Sequence, residues 1–186
     1  MEQINENSQA SPKSKWEAKV SARLRKASAE EVWPVYTDFF NFGKWFPGLA
    51  TCYGVHGTNG EPGCIRYVSG FSISSQKGSG GADKGSLRWA KERLVAVDHG
   101  ERRLSYEIVD GNIGFNSYVA TVKIVPLPGG TGGYHDDDDG QDGCVIEWSF
   151  TVDPVEGLNL DDMKTKFEVG LQGVVKRIED ANLSSN

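Results

Sequence analysis

The stretch NLDDMKTKFEVGLQGVVKRIEDA, residues 159–181, decides how the rest of the chain must be read. Met163, Phe167, Leu171, Val174 and Ile178 recur at spacings of four and three, the stripe of a long amphipathic helix, and Asn159 followed by Asp161 and Asp162 supplies an N-cap and an acidic first turn. A stripe of that length must be buried against something of equal extent. The segments upstream of it are almost all of strand type.

KWEAKVSARL (15–24) alternates Trp16, Ala18, Val20, Ala22 and Leu24 against charged or polar neighbours, the period of a half-buried strand. Ser28 and Glu31 then form a capping-box pair ahead of Val32, Val35, Tyr36 and Phe39, which predicts a helix with a kink or a short first segment at Pro34. Residues 41–46 add a helical turn that Pro47-Gly48 stops. Six further strands follow at 49–57, 64–71, 87–97, 103–111, 117–125 and 144–152, separated by Gly-rich or charged turns. One strand, two short helices, six strands and a long helix bury both apolar faces only if the sheet curls around the last helix. The expectation is an α+β fold: a seven-stranded, curved antiparallel sheet around a long C-terminal helix, with an internal cavity.

The chain has 186 residues, with 38% hydrophobic and 25% charged content, enough for one domain over residues 15–182; residues 1–14 read as a disordered tail. Its net charge of -6 is local. Asp136 to Asp139 and Asp142 are five of 26 acids, so the remainder sums to 20 minus 21, or -1. Without a basic stripe, nucleic acid is a poor partner, and with no long apolar run the chain is not expected to insert in a membrane. We expect a cytoplasmic protein. Cys52, Cys64 and Cys144 are odd in number and widely spaced, so reduced, buried thiols are expected rather than a disulfide framework or a zinc site.

HDDDDG (135–140) superficially resembles a calcium loop. Aligning Gly140 with the loop glycine puts His135 at the first ligand position and Ile146 where a glutamate is required, so no metal is expected there. The segments SISSQKGSGGADKGS and PLPGGTGGYHDDDDGQDG read as flexible loops.

Trp16, WPVYTDFFNFGKWFPGL, GCIRYVSG, WAKERLVAVD, LSYEIVDG, SYVATVKI and IEWSF follow one another in an order that resembles plant lachrymatory-factor-synthase-like proteins. These belong to the START-like superfamily with the birch-pollen-allergen fold and the polyketide cyclase/dehydrase group. The resemblance implies a helix-grip fold and a metal-free cavity without cofactor, in which a small sulfenic acid is rearranged to a thial S-oxide. It places Arg66, Glu92 and Tyr118 as the polar, catalytic positions. A further tyrosine expected by the resemblance is Ile108 here.

Strand parity gives an independent check, since residues two apart share a face. Arg66 shares the face of Cys64 and Val68, Glu92 that of Ala90, Leu94 and Ala96, and Tyr118 that of Ala120, Val122 and Ile124. All three are thus polar groups on apolar faces, and Arg66 is a natural partner for a buried Glu92 carboxylate. Tyr106, Ile108, Trp148, Phe167 and Leu171 are the candidate ligand-binding residues. Trp33, Trp45 and Trp89, with Phe39, Phe46 and Phe150, read as core or cavity wall. Two functions are open: an isomerase or lyase using the polar trio for proton transfer, or a non-catalytic carrier or receptor for a small hydrophobic or amphipathic plant metabolite.

Overall fold

The computed structural model describes residues 14–70, 87–128 and 143–181. Its elements run β1 (Trp16–Leu24), α1 (Ala29–Thr37), the short 3-10 helix η1 (Phe39–Lys44), β2 (Thr51–His56), β3 (Ile65–Ser69), β4 (Trp89–Asp98), β5 (Arg103–Gly111), β6 (Val119–Pro126), β7 (Cys144–Val152) and α2 (Leu160–Ala181). All seven strands form one antiparallel sheet in the order β1-β7-β6-β5-β4-β3-β2. The two helices after β1 carry the chain to the far edge, and β2 to β7 then return by next-neighbour steps until β7 pairs with β1 along its whole length.

The local signals in the sequence account for the ends of these elements. Ser28 Oγ accepts from the Glu31 amide while the Glu31 carboxylate accepts from the Ser28 amide at 2.7 Å, closing the capping box. The helix is continuous from Ala29 to Thr37 with Pro34 inside it, so the short first segment expected as one alternative at that residue does not form. Over nine residues a missing N–H costs one ladder bond, and the Pro34 carbonyl still accepts from the Asp38 amide at 2.9 Å. Asn159 caps α2 by accepting from the Asp162 amide at 2.8 Å.

α2 lies against the sheet, with Met163, Phe167, Leu171, Val174, Val175 and Ile178 buried, and it packs along β1. Its last turn is tied to the end of β1 by the Arg25 amide, which donates to Glu179 Oε1 at 3.0 Å. Leu24, Leu94, Ile124, Ile146, Met163, Leu171 and Ile178 are essentially inaccessible and belong to one continuous apolar core. Gly170 and Gly173 face the segment between η1 and β2. A Cβ at Gly170 would lie 2.7 Å from the Phe46 ring, and one at Gly173 would lie 2.5 Å from Pro47, so only glycine lets that segment sit flush on the helix.

One parity expectation is corrected by backbone irregularity. The register between β4 and β5 shifts between Lys91 and Glu92 and again between Leu94 and Ala96, so Ala96 turns outward and Val97 packs inward instead. Trp89 lies on the outer face, stacked on Tyr67 at 5.7 Å, and is not cavity wall. Of the three thiols, Cys64 and Cys144 are buried and free, but Cys52 is half-buried because it sits on the edge strand β2. Residues 71–86 and 129–142 of the Gly-rich segments, including the Asp136 to Asp139 run, lie outside the described residues, as do residues 1–13 of the N-terminal tail.

Candidate ligand cavity

Between the sheet and α2 lies a cavity of about 460 Å³. β3 and β4 place Arg66 and Glu92 directly opposite each other on the inner face. Arg66 Nε and Nη2 both donate to Glu92 Oε2 at 2.7 Å, and Nη1 donates to the Phe39 carbonyl at 3.0 Å. The Phe39 ring lies under the guanidinium, 3.9 Å away, and Tyr106 approaches it at 5.4 Å. Both side chains are buried, 6% and 8% exposed, yet both border the cavity. Burial works against the Arg66 charge, but Glu92 outweighs it, and the guanidinium is held protonated more firmly than usual. Both N–H donors converge on the one oxygen Oε2, so the carboxylate is braced at one of its two oxygens while the residue borders the cavity.

β5 contributes Tyr106 and Ile108, with Ile108 opposite Glu92 in register. Tyr118 stands one residue ahead of β6, where its carbonyl accepts from the Ile108 amide at 3.2 Å. Ser117 just before it adopts a left-handed backbone (φ 52) and donates to Asp153 at 2.9 Å, which fixes the direction in which Tyr118 leaves the turn. β7 supplies Trp148 and α2 supplies Phe167, whose ring centroids lie 4.6 Å apart. Tyr118 also stacks on Phe115 at 5.6 Å and on Phe150 at 6.0 Å.

Seven of the eight residues singled out in the sequence border this cavity: Arg66, Glu92, Tyr106, Ile108, Tyr118, Trp148 and Phe167. Leu171 does not. It is one turn deeper and lines a separate void of about 20 Å³, shared with Tyr36, Tyr106, Arg66 and Trp148. Phe42, Phe115 and Gly170 also border the cavity and were not expected there. Phe115 lies in an irregular turn and carries no periodic signal, whereas Gly170 could have been found from its position on the α2 stripe. Val169, 68% exposed, borders the cavity too, so the space reaches solvent along α2.

The three buried tyrosines are harder to ionise than a free phenol. Burial raises Tyr36, Tyr106 and Tyr118, with the mutual repulsion of neighbouring phenolates adding to it, and Glu92 raises Tyr106 and Tyr118 further. The indole nitrogen of Trp148 is buried without a hydrogen-bond partner of good geometry, although its N–H is near enough to favour ionisation of both Tyr106 and Tyr118. Among the described residues no group of three or more His, Cys, Asp or Glu side chains is placed to hold a metal ion, and the HDDDDG segment is not among them.

The profile of the family described as Polyketide cyclase / dehydrase and lipid transport matches residues 15–181. Among solved structures, the XoxI protein of Bacillus cereus is similar at 18% identity, with 90% of this chain and 95% of that one covered and a TM-score of 0.59. A protein of Thermobifida fusca is 22% identical over 87% and 91%, with a TM-score of 0.61. The major latex-like protein 151 of Panax ginseng is 20% identical over 90% and 98%, with a TM-score of 0.58. At these identities the likeness speaks for the helix-grip fold alone. No helix among the described residues is long and apolar enough to cross a membrane.

Proposed function

The chain belongs to the polyketide cyclase / dehydrase and lipid transport family, and from that membership we propose that it binds a small, largely apolar ligand in the cavity and isomerises it by proton transfer at Glu92. The observation that carries this reading is the buried Glu92 carboxylate, braced at Oε2 by Arg66, on the border of the ligand space. A general base needs a fixed direction and an open lone pair, and the brace supplies the first without consuming the second. Tyr106 and Tyr118, held protonated, are donors for an oxygen of the substrate that gains charge as the proton leaves.

The resemblance to lachrymatory-factor-synthase-like proteins suggests the first substrate to try, an alkenyl sulfenic acid generated in place. The cavity is in the size range of pockets that enclose drug-sized molecules, so it has room for ligands larger than a sulfenic acid of a few heavy atoms. With Ile108 in place of the further tyrosine, turnover of the sulfenic acid by the native chain should be weak, and Ile108→Tyr should raise it. Glu92→Gln keeps the acceptor for Arg66 and removes the titratable carboxyl. It should lower turnover by about a hundredfold or more with little change in ligand affinity. Robust native turnover unaffected by Glu92→Gln would sink the proton-transfer assignment.

A second reading, a carrier without chemistry, is favoured by one observation. The Arg66 guanidinium is already committed to Glu92, the Phe39 carbonyl and the Phe39 ring, as a pair that only braces the sheet would be. Mass spectrometry of small molecules released from the natively purified protein separates the two. A single retained compound, unchanged on incubation, belongs to a carrier, and a substrate and product pair belongs to an enzyme.

A further inference from the structure

Two buried polar atoms, Tyr36 Oη without a hydrogen-bond partner and Trp148 Nε1 without one of good geometry although it lies near the Tyr106 and Tyr118 hydroxyls, belong to side chains that line the same void of about 20 Å³. Each orphan alone would cost about 1–3 kcal/mol, and unpaired groups of this kind are rare enough that two on one void need a common cause. The void has room for one oxygen-sized group, since a single solvent probe occupies about 10–15 Å³. Its remaining wall is apolar, from Phe39, Leu104, Val122 and Val174, apart from Tyr106 and Arg66. Phe42, Arg66, Tyr106 and Trp148 border both this void and the larger cavity, so the two spaces adjoin.

We propose that the void is a single-oxygen subsite at the inner end of the ligand cavity, in which Tyr36 Oη and Trp148 Nε1 hold one uncharged hydroxyl or carbonyl oxygen of the ligand. The inference rests on the cavity reading of the preceding section and names the substrate class for it: an apolar body carrying an alcohol, phenol or ketone oxygen at the end that enters first. The indole N–H only donates, so the partner must accept, which excludes ammonium and methyl groups. Tyr36 Oη both donates and accepts, which suits a hydroxyl and a carbonyl alike. A carboxylate or phosphate is disfavoured, because the one cation on the void, Arg66, is already neutralised by Glu92 at 2.7 Å. A site with buried donors discriminates chiefly by what it leaves unpaired, so a hydrocarbon of the same shape should bind less well.

The test uses 2-naphthol and naphthalene, both uncharged at pH 7, as competitors of the cavity dye 1-anilinonaphthalene-8-sulfonate on the whole chain. The native protein should prefer 2-naphthol by about tenfold, the worth of one buried hydrogen bond. That ratio should fall toward one in Tyr36→Phe and in Trp148→Phe, each checked for a cooperative melt. A crystal structure of the naphthol complex should put its oxygen within hydrogen-bond distance of Tyr36 Oη and Trp148 Nε1. A ratio near one in the native protein, or one unchanged in Tyr36→Phe, overturns the subsite. So does a water between Tyr36 and Trp148 with the naphthol oxygen elsewhere, which assigns the position to solvent. Naphthalene bound without selectivity removes only the subsite, whereas no binding of either probe removes the cavity reading as well.

Discussion

Cutting one side of the Arg66 and Glu92 pair should cost far more than cutting both. In Arg66→Met the Glu92 carboxylate, with its side chain 8% exposed, loses both N–H donors at 2.7 Å. The Phe39 carbonyl also loses its donor at 3.0 Å. Removing one partner of a buried pair costs about 3–5 kcal/mol. Glu92→Leu strands the guanidinium instead, but the Phe39 ring at 3.9 Å and the Phe39 carbonyl remain to it, so its cost should sit at the lower end of that range. The double variant leaves no buried charge, and its main defect is the unpaired carbonyl, worth about 1–3 kcal/mol. Urea unfolding of the four proteins, with m-values held constant, gives the cycle. The coupling should reach at least about 3 kcal/mol, and the double variant should be more stable than Arg66→Met. Additive single costs, or singles below about 1 kcal/mol, would show that the pair is solvated and that the reading of it as a buried, coupled pair is wrong.

Alkali should unfold the protein by a predictable route. Buried Tyr36, Tyr106 and Tyr118 keep protons that the unfolded chain releases near pH 10.0, and Cys144, pushed up to about 12 by burial, keeps one released near 9.0. The native state then binds more protons, so stability is intact below pH 9 and falls above it. Past pH 10 the three tyrosines together remove about 4 kcal/mol per pH unit. Urea melts from pH 8 to 11 measure this, and all six tyrosines ionising near pH 10 without loss of near-ultraviolet dichroism would contradict it. Gly173→Ala should destabilise although alanine favours helix by about 1 kcal/mol, because the new methyl meets Pro47 at 2.5 Å and overpacking costs about 1–3 kcal/mol; a raised melting temperature would refute the close approach. A chain ended at Gly157 lacks α2 and should be insoluble or molten, and a cooperative melt from it would refute the helix's role in closing the sheet.

Most of this architecture was legible because alternation and helical stripe are set by which face is wet. β1 alternates without interruption and pairs with β7 through nine consecutive positions, and Arg66 and Glu92 fall on the inner face that parity gives them. Parity fails at Ala96 because one extra residue in β4 reverses the face of everything after it, and nothing in LVAVD marks where the bulge falls. Leu171 was assigned to the ligand space because a stripe fixes a helix face but not depth along the axis. Tyr36 was read as one more apolar position of α1. That its hydroxyl ends on a void shared with Trp148 depends on how α1 crosses the sheet, a tertiary property. Phe115 reaches the cavity from a turn whose geometry rests on Ser117 in a left-handed conformation, which a serine does not announce.

Gly170 sets the capacity of the cavity from outside its chemistry. The Phe46 ring rests where a side chain at position 170 would begin and both residues border the cavity, so any larger residue there must displace the ring or take up room beside it. Exchange at this one helical position trades backbone entropy against room without touching Arg66, Glu92 or either tyrosine. Relatives built on the same polar pair can thus diverge in the girth of what they hold by gaining or losing a methyl on α2, leaving the reacting end of the pocket unaltered.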